Sequence, residues 1–397
     1  MSRFWSLSAA GFAATAIGFG PGRMGFGLFV PEFRTAFSMS TTAVGLVSSL
    51  GFLGFFIGLM IAQALLDRRG PRVPVLAGLA AATVGMGTVA LAPSLPVLAG
   101  GVFVAASSAG LAWSPFNNAI HRLVREDDRP AALSMVSTGT GIGVALAGLA
   151  AFAMVIEGIS WRYCWAFFAG ASAAALAGNW LAFRGVGADG SGSQTKGWGE
   201  LAQVATRPLV LVGFTYGTVS AIYISFAADH MVTAGGVSGL DVQATPALVF
   251  ICYGLLGLTG LLAGRLRNML GLPLLLRLLM LAGALSLALV AIMPGTWGGL
   301  ILSAGLQGVH VMMTSAVLAF WSERLFPTLP SRSFTVALLA AALGSVLGPA
   351  VAGIVSDAFG ATVMFGGAAL LPLVTAVTLQ SAHVRDAPAQ KELRESA

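Results

Sequence analysis

The chain has 397 residues, 57% of them hydrophobic and 9% charged, with 52 glycines, 17 prolines and a mean hydropathy of +0.87. Soluble domains carry about 25% charge, and disorder requires low hydrophobicity, so neither class fits. A bilayer-spanning helix takes about 20 apolar residues. Twelve such helices would use roughly 240 residues, leaving short loops and one longer connector. The expected fold class is an all-α integral membrane protein.

Hydropathy predicts twelve transmembrane helices. The first six run near 8–32, 43–66, 73–92, 96–120, 130–156 and 162–183. The second six run near 208–232, 244–264, 272–293, 297–321, 331–355 and 361–382. The opening Met-Ser-Arg-Phe-Trp runs into an apolar stretch longer than a signal-peptide core, which reads as a retained first helix. Between the sixth and seventh spans, residues 185–207 hold the run GVGADGSGSQTKGWG, whose Gly/Ser-rich composition predicts a flexible linker. The expected domains are therefore a six-helix bundle over 1–184, this linker, and a second bundle with a short tail over 208–397. Cys164 and Cys252 both lie in apolar segments and read as small buried hydrophobes.

The formal charge is +6 and the pI near 10.0. With both termini cytoplasmic, 18 of the 21 basic residues fall on inside loops, helix ends or tails, from Arg3 through Arg68, Arg69 and Arg72 to Arg394. Arg34 and Arg162 fall outside and Arg23 lies within a span. This asymmetry satisfies the positive-inside rule. It also accounts for the basic pI without nucleic acid, because the cations face an anionic inner leaflet.

The two halves repeat each other. Gln63 to Arg72 (QALLDRRGPR) after the second span matches Gly264 to Gly271 (GRLRNMLG) after the eighth, offset by 201 residues. Arg122-Leu123 at the end of the fourth span matches Arg324-Leu325 at the end of the tenth, offset by 202. Gly139, Gly143 and Gly148 in the fifth span share their spacing with Gly344, Gly348 and Gly353 in the eleventh, offset by 205. Repeated halves of six spans place a binding site between them near the midplane.

These residues resemble the major facilitator superfamily over essentially the whole chain. The loop Leu65 to Arg72 (LLDRRGPR) is similar to the superfamily pattern Gly-x-Leu-x-Asp-Arg-x-Gly-x-Arg between the second and third helices. The resemblance assigns a gating role to Asp67, Arg68, Gly70, Arg72 and Arg122, and in the second copy to Asn268 and Gly271. Asp67 would then pair with basic groups and hold the cytoplasmic side shut. Gln63 replaces the leading glycine, and Asn268 stands where the second copy would have an acid. Two features common in proton-coupled members are missing. Leu98 to Gly110 carries no charge, and Gly143 is followed by Val144 where an antiporter has Gly-Pro. The resemblance implies a secondary transporter working by rocking-bundle alternating access, not an enzyme, in an inner (plasma) membrane.

Arg23 is the most informative candidate. It lies 15 positions into the first span, about 22 Å along the helix. A charge at such depth costs from about 2.5 to above 10 kcal/mol. The nearest acid in that helix is Glu32, nine residues on, roughly 13 Å away. Arg23 is either a structural arginine satisfied by backbone carbonyls or an anchor for an anion, for which guanidinium offers a bidentate match. Pro21 and the glycines around it predict a bent helix.

In the tenth span Gln307, His310 and Thr314 share one face. His310 either serves an anion or a coupled proton or is a hydrogen-bonded packing histidine. Tyr216, Ser220 and Tyr223 repeat the pattern in the seventh span. Trp113, Ser114, Asn117, Asn118 and His121 cluster in the fourth, as cavity wall or as glue between helices. Acids are absent from the middle of every span, and the pattern of one Arg with no acid favours an anionic substrate.

The expected function is thus transport of a small organic anion, a carboxylate above all. Its binding residues would be Arg23, His310, Gln307, Tyr216, Tyr223, Asn117, Asn118 and Trp113. A co-transported proton would travel through His310 or the Asp229-His230 pair. The rivals are an efflux pump for hydrophobic compounds, with Arg23 structural, and a non-transporting sensor on the same fold. The expected partners are the substrate and the lipid bilayer. No nucleic acid, metal or cofactor is expected, and the chain is expected to be a monomer.

Overall fold

The computed structural model describes residues 3–184, 207–325, 330–379 and 384. Helices occupy all twelve expected ranges. The first crossing is broken into α1 (Arg3–Ile17), a π-helix (Gly18–Met24), α2 (Gly25–Leu28) and α3 (Val30–Phe37). It is followed by α4 (Thr41–Arg69), α5 (Arg72–Ala90), α6 (Leu95–Leu123), α7 (Arg129–Ile156) and α8 (Trp161–Ala182). The second half runs through α9 (Arg207–Thr233), α10 (Thr245–Gly257), a 3-10 segment (Leu258–Leu262), α11 (Ala263–Leu270) and α12 (Leu272–Ile292). It ends with α13 (Trp297–Leu325), α14 (Pro330–Phe359) and α15 (Ala361–Thr378). Among the described residues ten segments are long and apolar enough to cross a membrane; the interrupted first stretch and α8 occupy the other two expected ranges. Most of the expected linker, 185–206, lies outside the described residues. Arg207, placed in that linker by composition, instead begins α9.

The internal repeat has a backbone basis. Gly70 ends α4 at φ 68° and donates its N–H to the Leu66 carbonyl, and Gly271 ends α11 at φ 75° and donates to Arg267. Both loops turn through the left-handed region that glycine enters at least cost. Gln63, which replaces a glycine of the superfamily pattern, bonds Ser114 at 2.7 Å and so ties α4 to α6. Within the first half, Thr15 bonds the Val136 carbonyl at 2.7 Å and Asn179 bonds the Ala10 carbonyl at 3.2 Å. Such bonds satisfy polar groups that have no water to turn to inside a bilayer.

The two halves pack on each other mainly through the outer half of their length, on the side away from the basic loops. There α4 lies against α14 and α7 against α10, with small residues at the crossings. A methyl group on Gly45 would strike the Pro349 carbonyl, and one on Gly27 the Ile224 carbonyl. Gly141 faces Gly254, and Gly148 faces the Ala247 carbonyl.

Polar contacts reinforce this closure. Arg34 of α3 reaches Asp229 of α9 at 2.9 Å and Thr41 of α4 at 3.3 Å. Asp357, near the end of α14, accepts the backbone N–H groups of Thr41 at 3.1 Å and Thr42 at 2.7 Å. Those are orphan donors of the first turn of α4, so a carboxylate from the second half caps a helix of the first. The chain Asp229–Arg34–Thr41–Asp357 crosses between the halves twice. Asp229, one of the proton-coupling candidates of the sequence, here pairs with Arg34.

Candidate functional site

Between the halves a cavity of about 470 Å³ runs from mid-depth toward the basic face. Its deep end is set by Arg23, Phe19 and Tyr216, and its walls come from α4, α6 and α7 on one side and from α9, α10, the 3-10 segment, α11, α13 and α14 on the other.

Arg23 owes its position to the break in the first crossing. Pro21 has no N–H and its ring obstructs the carbonyl one turn back. The backbone relaxes here into a π-helix from Gly18 to Met24, a wide turn that recurs at functional sites. Gly20 lets that turn press on α7, since a methyl group there would enter the Gly143 carbonyl. The guanidinium carbon of Arg23 sits 4.3 Å from the centre of the Phe55 ring, 5.5 Å from Phe52 and 5.6 Å from Phe19. Phe19 in turn stands edge-on to Trp113 at 5.3 Å and to Phe55 at 6.2 Å. A cation over an aromatic face gains about 0.5–2 kcal/mol, which offsets part of its burial cost. The Arg23 Nε is nevertheless buried without a hydrogen-bond partner. Among the described residues lining the cavity, Arg23 is the sole charged side chain, and no described carboxylate pairs with it.

The structure separates the sequence candidates into two groups. Arg23, Trp113, Asn117 and Tyr216 line the cavity. Gln307, His310, Tyr223 and Asn118 do not. Asn118, one residue from Asn117 and so about 100° around the helix, keeps a buried Oδ1 without a partner. Tyr223 is buried and its hydroxyl meets Ser303 at 3.2 Å. His310 is fully buried; its Nδ1 lies 2.7 Å from the Leu279 carbonyl of α12, and its ring rests against Gly283. It stands behind Tyr216, ring centres 6.0 Å apart. In this geometry His310 lies between α13 and α12.

Behind the second-half wall runs a neutral polar column. Ser303, Gln307, His310 and Thr314 follow one face of α13, with Tyr253 of α10 near Tyr223 at 6.3 Å between rings. Both amide atoms of Gln307, the His310 Nε2, the Thr314 hydroxyl and the Tyr253 hydroxyl are buried without partners. His230, next to Asp229, packs its ring on Phe365 at 5.4 Å and keeps an unpartnered Nε2.

On the basic face, Arg68, Arg69, Arg122 and Asn268 are exposed, while Asp67 and Arg72 are half-buried. No described basic side chain forms an ion pair with Asp67. The expected pairing of Asp67 is thus not made here, while the Arg34–Asp229 contact on the opposite side is. Sequence reasoning missed Phe19, Phe52 and Phe55 around the arginine, and Asp357 with Thr41 and Thr42 at the outer closure.

The helical order, the internal repeat and the cavity between halves agree with a family model. The Major Facilitator Superfamily model matches residues 12–298. The chain belongs to the major facilitator superfamily. It is a multi-pass membrane transporter and not an enzyme. Solved structures of similar fold include a mutant of the nucleoside transporter NupG (TM-score 0.76, 13% identity, covering 97% of this chain and 100% of that one). A second is a POT family transporter in complex with 5-aminolevulinic acid (0.76, 14%, 94% of each chain). A third is a bacterial homolog of the human lysosomal transporter Spinster in an inward-facing and occupied conformation (0.70, 16%, 94% of each chain). No curated protein matches the chain by sequence.

Proposed function

We propose that the chain carries an organic anion, a carboxylate above all, across the inner (plasma) membrane, with both termini on the cytoplasmic side. The observation that carries this reading is the charge pattern of the cavity: among the described residues that line it, one guanidinium, no carboxylate, and otherwise uncharged side chains. A carboxylate accepts two parallel N–H bonds from guanidinium. It also neutralises the charge that makes the empty site costly to enclose. Loading therefore lowers the barrier to occlusion, a physical route from binding to movement.

The halves 1–184 and 208–397 rock as rigid bodies about this site. Here the outer face is closed by the Asp229–Arg34–Thr41–Asp357 chain, and the cavity runs to the basic face. With that face cytoplasmic, this is an inward-facing state. Opening outward would break the outer contacts and bring Asp67, Arg68, Gly70, Arg72 and Arg122 into play, together with Asn268 and Gly271. Asn117, Trp113 and Tyr216 contact the substrate from the walls. Gln307, His310 and Tyr223 lie one layer behind, and Asn118 keeps its side-chain oxygen in the protein. Proton coupling through His310 or His230 would use their Nε2 atoms, which hold no partner here, and through Asp229 would require it to release Arg34. A monomer suffices, since both walls come from one chain.

A second reading is supported by the lining itself. Phe19, Phe55, Trp113, Met312 and Phe320 make most of the wall apolar, as an exporter of hydrophobic compounds would need. Uptake into proteoliposomes separates the two. If Arg23→Gln abolishes the flux of a carboxylate while the protein inserts normally, the anion reading stands. If neutral hydrophobic compounds are carried equally by both forms, it falls.

A further inference from the structure

Resting on the anion reading, we infer that the substrate is an amphipathic anion: a carboxylate on a flat, aromatic body that lies against the rings around Arg23. The guanidinium carbon lies over the Phe55 ring, 4.3 Å from its centre, and its Nε is buried without a partner. A cation–π contact does not consume N–H donors, so the Nη edge is left to bond a carboxylate. An acid bound at that edge must send its body along the neighbouring wall, and that wall is aromatic. Phe19 and Trp113 stand edge to face at 5.3 Å beside it. Tyr216 and Met312 face them from the second half across the same cavity.

A short polar acid would satisfy the charge and leave these rings facing water. It would also leave most of a cavity of about 470 Å³ unfilled, a volume in the range of sites for drug-sized ligands. An aromatic body covers the Phe19–Trp113 pair and gives Tyr216 and Met312 something to close on. Aromatic pairs of this kind prefer the offset and edge-on arrangements already present between the side chains. The apolar walls and the single charge, which favour opposite readings when taken separately, then describe the two ends of one molecule.

Three probes test this with purified full-length protein in equilibrium binding: 2-naphthoate, acetate and 2-naphthamide. 2-Naphthoate is expected to bind at least tenfold tighter than acetate, which shares its charge, and at least tenfold tighter than 2-naphthamide, which shares its body. Trp113→Ala should weaken 2-naphthoate three- to tenfold and leave acetate unchanged. Trp113→Phe, which keeps a ring and guards against misfolding, should retain most of the affinity. Acetate binding as tightly as 2-naphthoate would overturn the aromatic body and leave the anion reading intact. 2-Naphthamide binding as tightly as 2-naphthoate would overturn the anion reading itself, and binding of none of the three would count against both.

Discussion

The first and seventh crossings hold equivalent places in the two repeats, yet they are built differently. The seventh, α9, is an unbroken helix of 27 residues whose Tyr223 and Ser220 bond within the protein. The first is split by a π-helix that contains Pro21 and sets Arg23 at the cavity. A repeat thus supplies the scaffold, and the departure from it supplies the chemistry. One half grips the charge, and the other offers a neutral wall whose polar atoms lie behind Tyr216. On the proposed reading, the first half would hold the substrate and the second would close on it.

The most forceful way to break this contrast is to remove the charge. Arg23→Gln should lower carboxylate transport in proteoliposomes by about 100-fold, since losing a desolvated charge pair costs 2–5 kcal/mol. Arg23→Lys should recover only part of it, because ammonium cannot present a planar fork. Removing the glycine that admits the break comes next. Gly20→Val would drive a side chain into the Gly143 carbonyl, so the thermal midpoint in detergent should fall by several degrees and transport should be largely lost.

A smaller effect is expected at the outer closure. Asp357→Asn keeps the shape but removes the charge that caps α4. Such a cap contributes about 1 kcal/mol, so the balance should shift outward about fivefold. Maleimide labelling of a cysteine at Ser48, buried on the outer half of α4, should speed up accordingly; an unchanged rate would mean that the cap plays no part in gating. The mildest change is Tyr216→Phe, expected to alter transport less than about threefold, because the second-half wall needs area more than a hydroxyl. A loss as large as that of Arg23→Gln would erase the distinction between the walls.

The fold was legible because a bilayer imposes it. Twelve apolar stretches and a repeat near 201 to 205 residues survive any uncertainty about local bends. Arg23 was legible for the same reason, since a charge at that depth stands out against its surroundings. Its cage was not. Phe52 and Phe55 look like ordinary lipid-facing residues of a span, and their approach to Arg23 depends on how α4 crosses the π-helix. The stripe Gln307-His310-Thr314 was legible as a stripe, but spacing along one helix does not say which neighbour it meets. It meets α12 at Leu279. Arg34 and Asp229 are 195 residues apart in sequence, and no local pattern joins them.

The most direct test is to locate a bound anion. A structure of the protein with 6-bromo-2-naphthoate, the bromine marking the far end of the body, should show the carboxylate at hydrogen-bond distance, about 3 Å, from Arg23. Its ring should lie along Phe19 and Trp113. Bromine density elsewhere in the cavity, with Arg23 unliganded or turned to a protein carboxylate, would contradict the account.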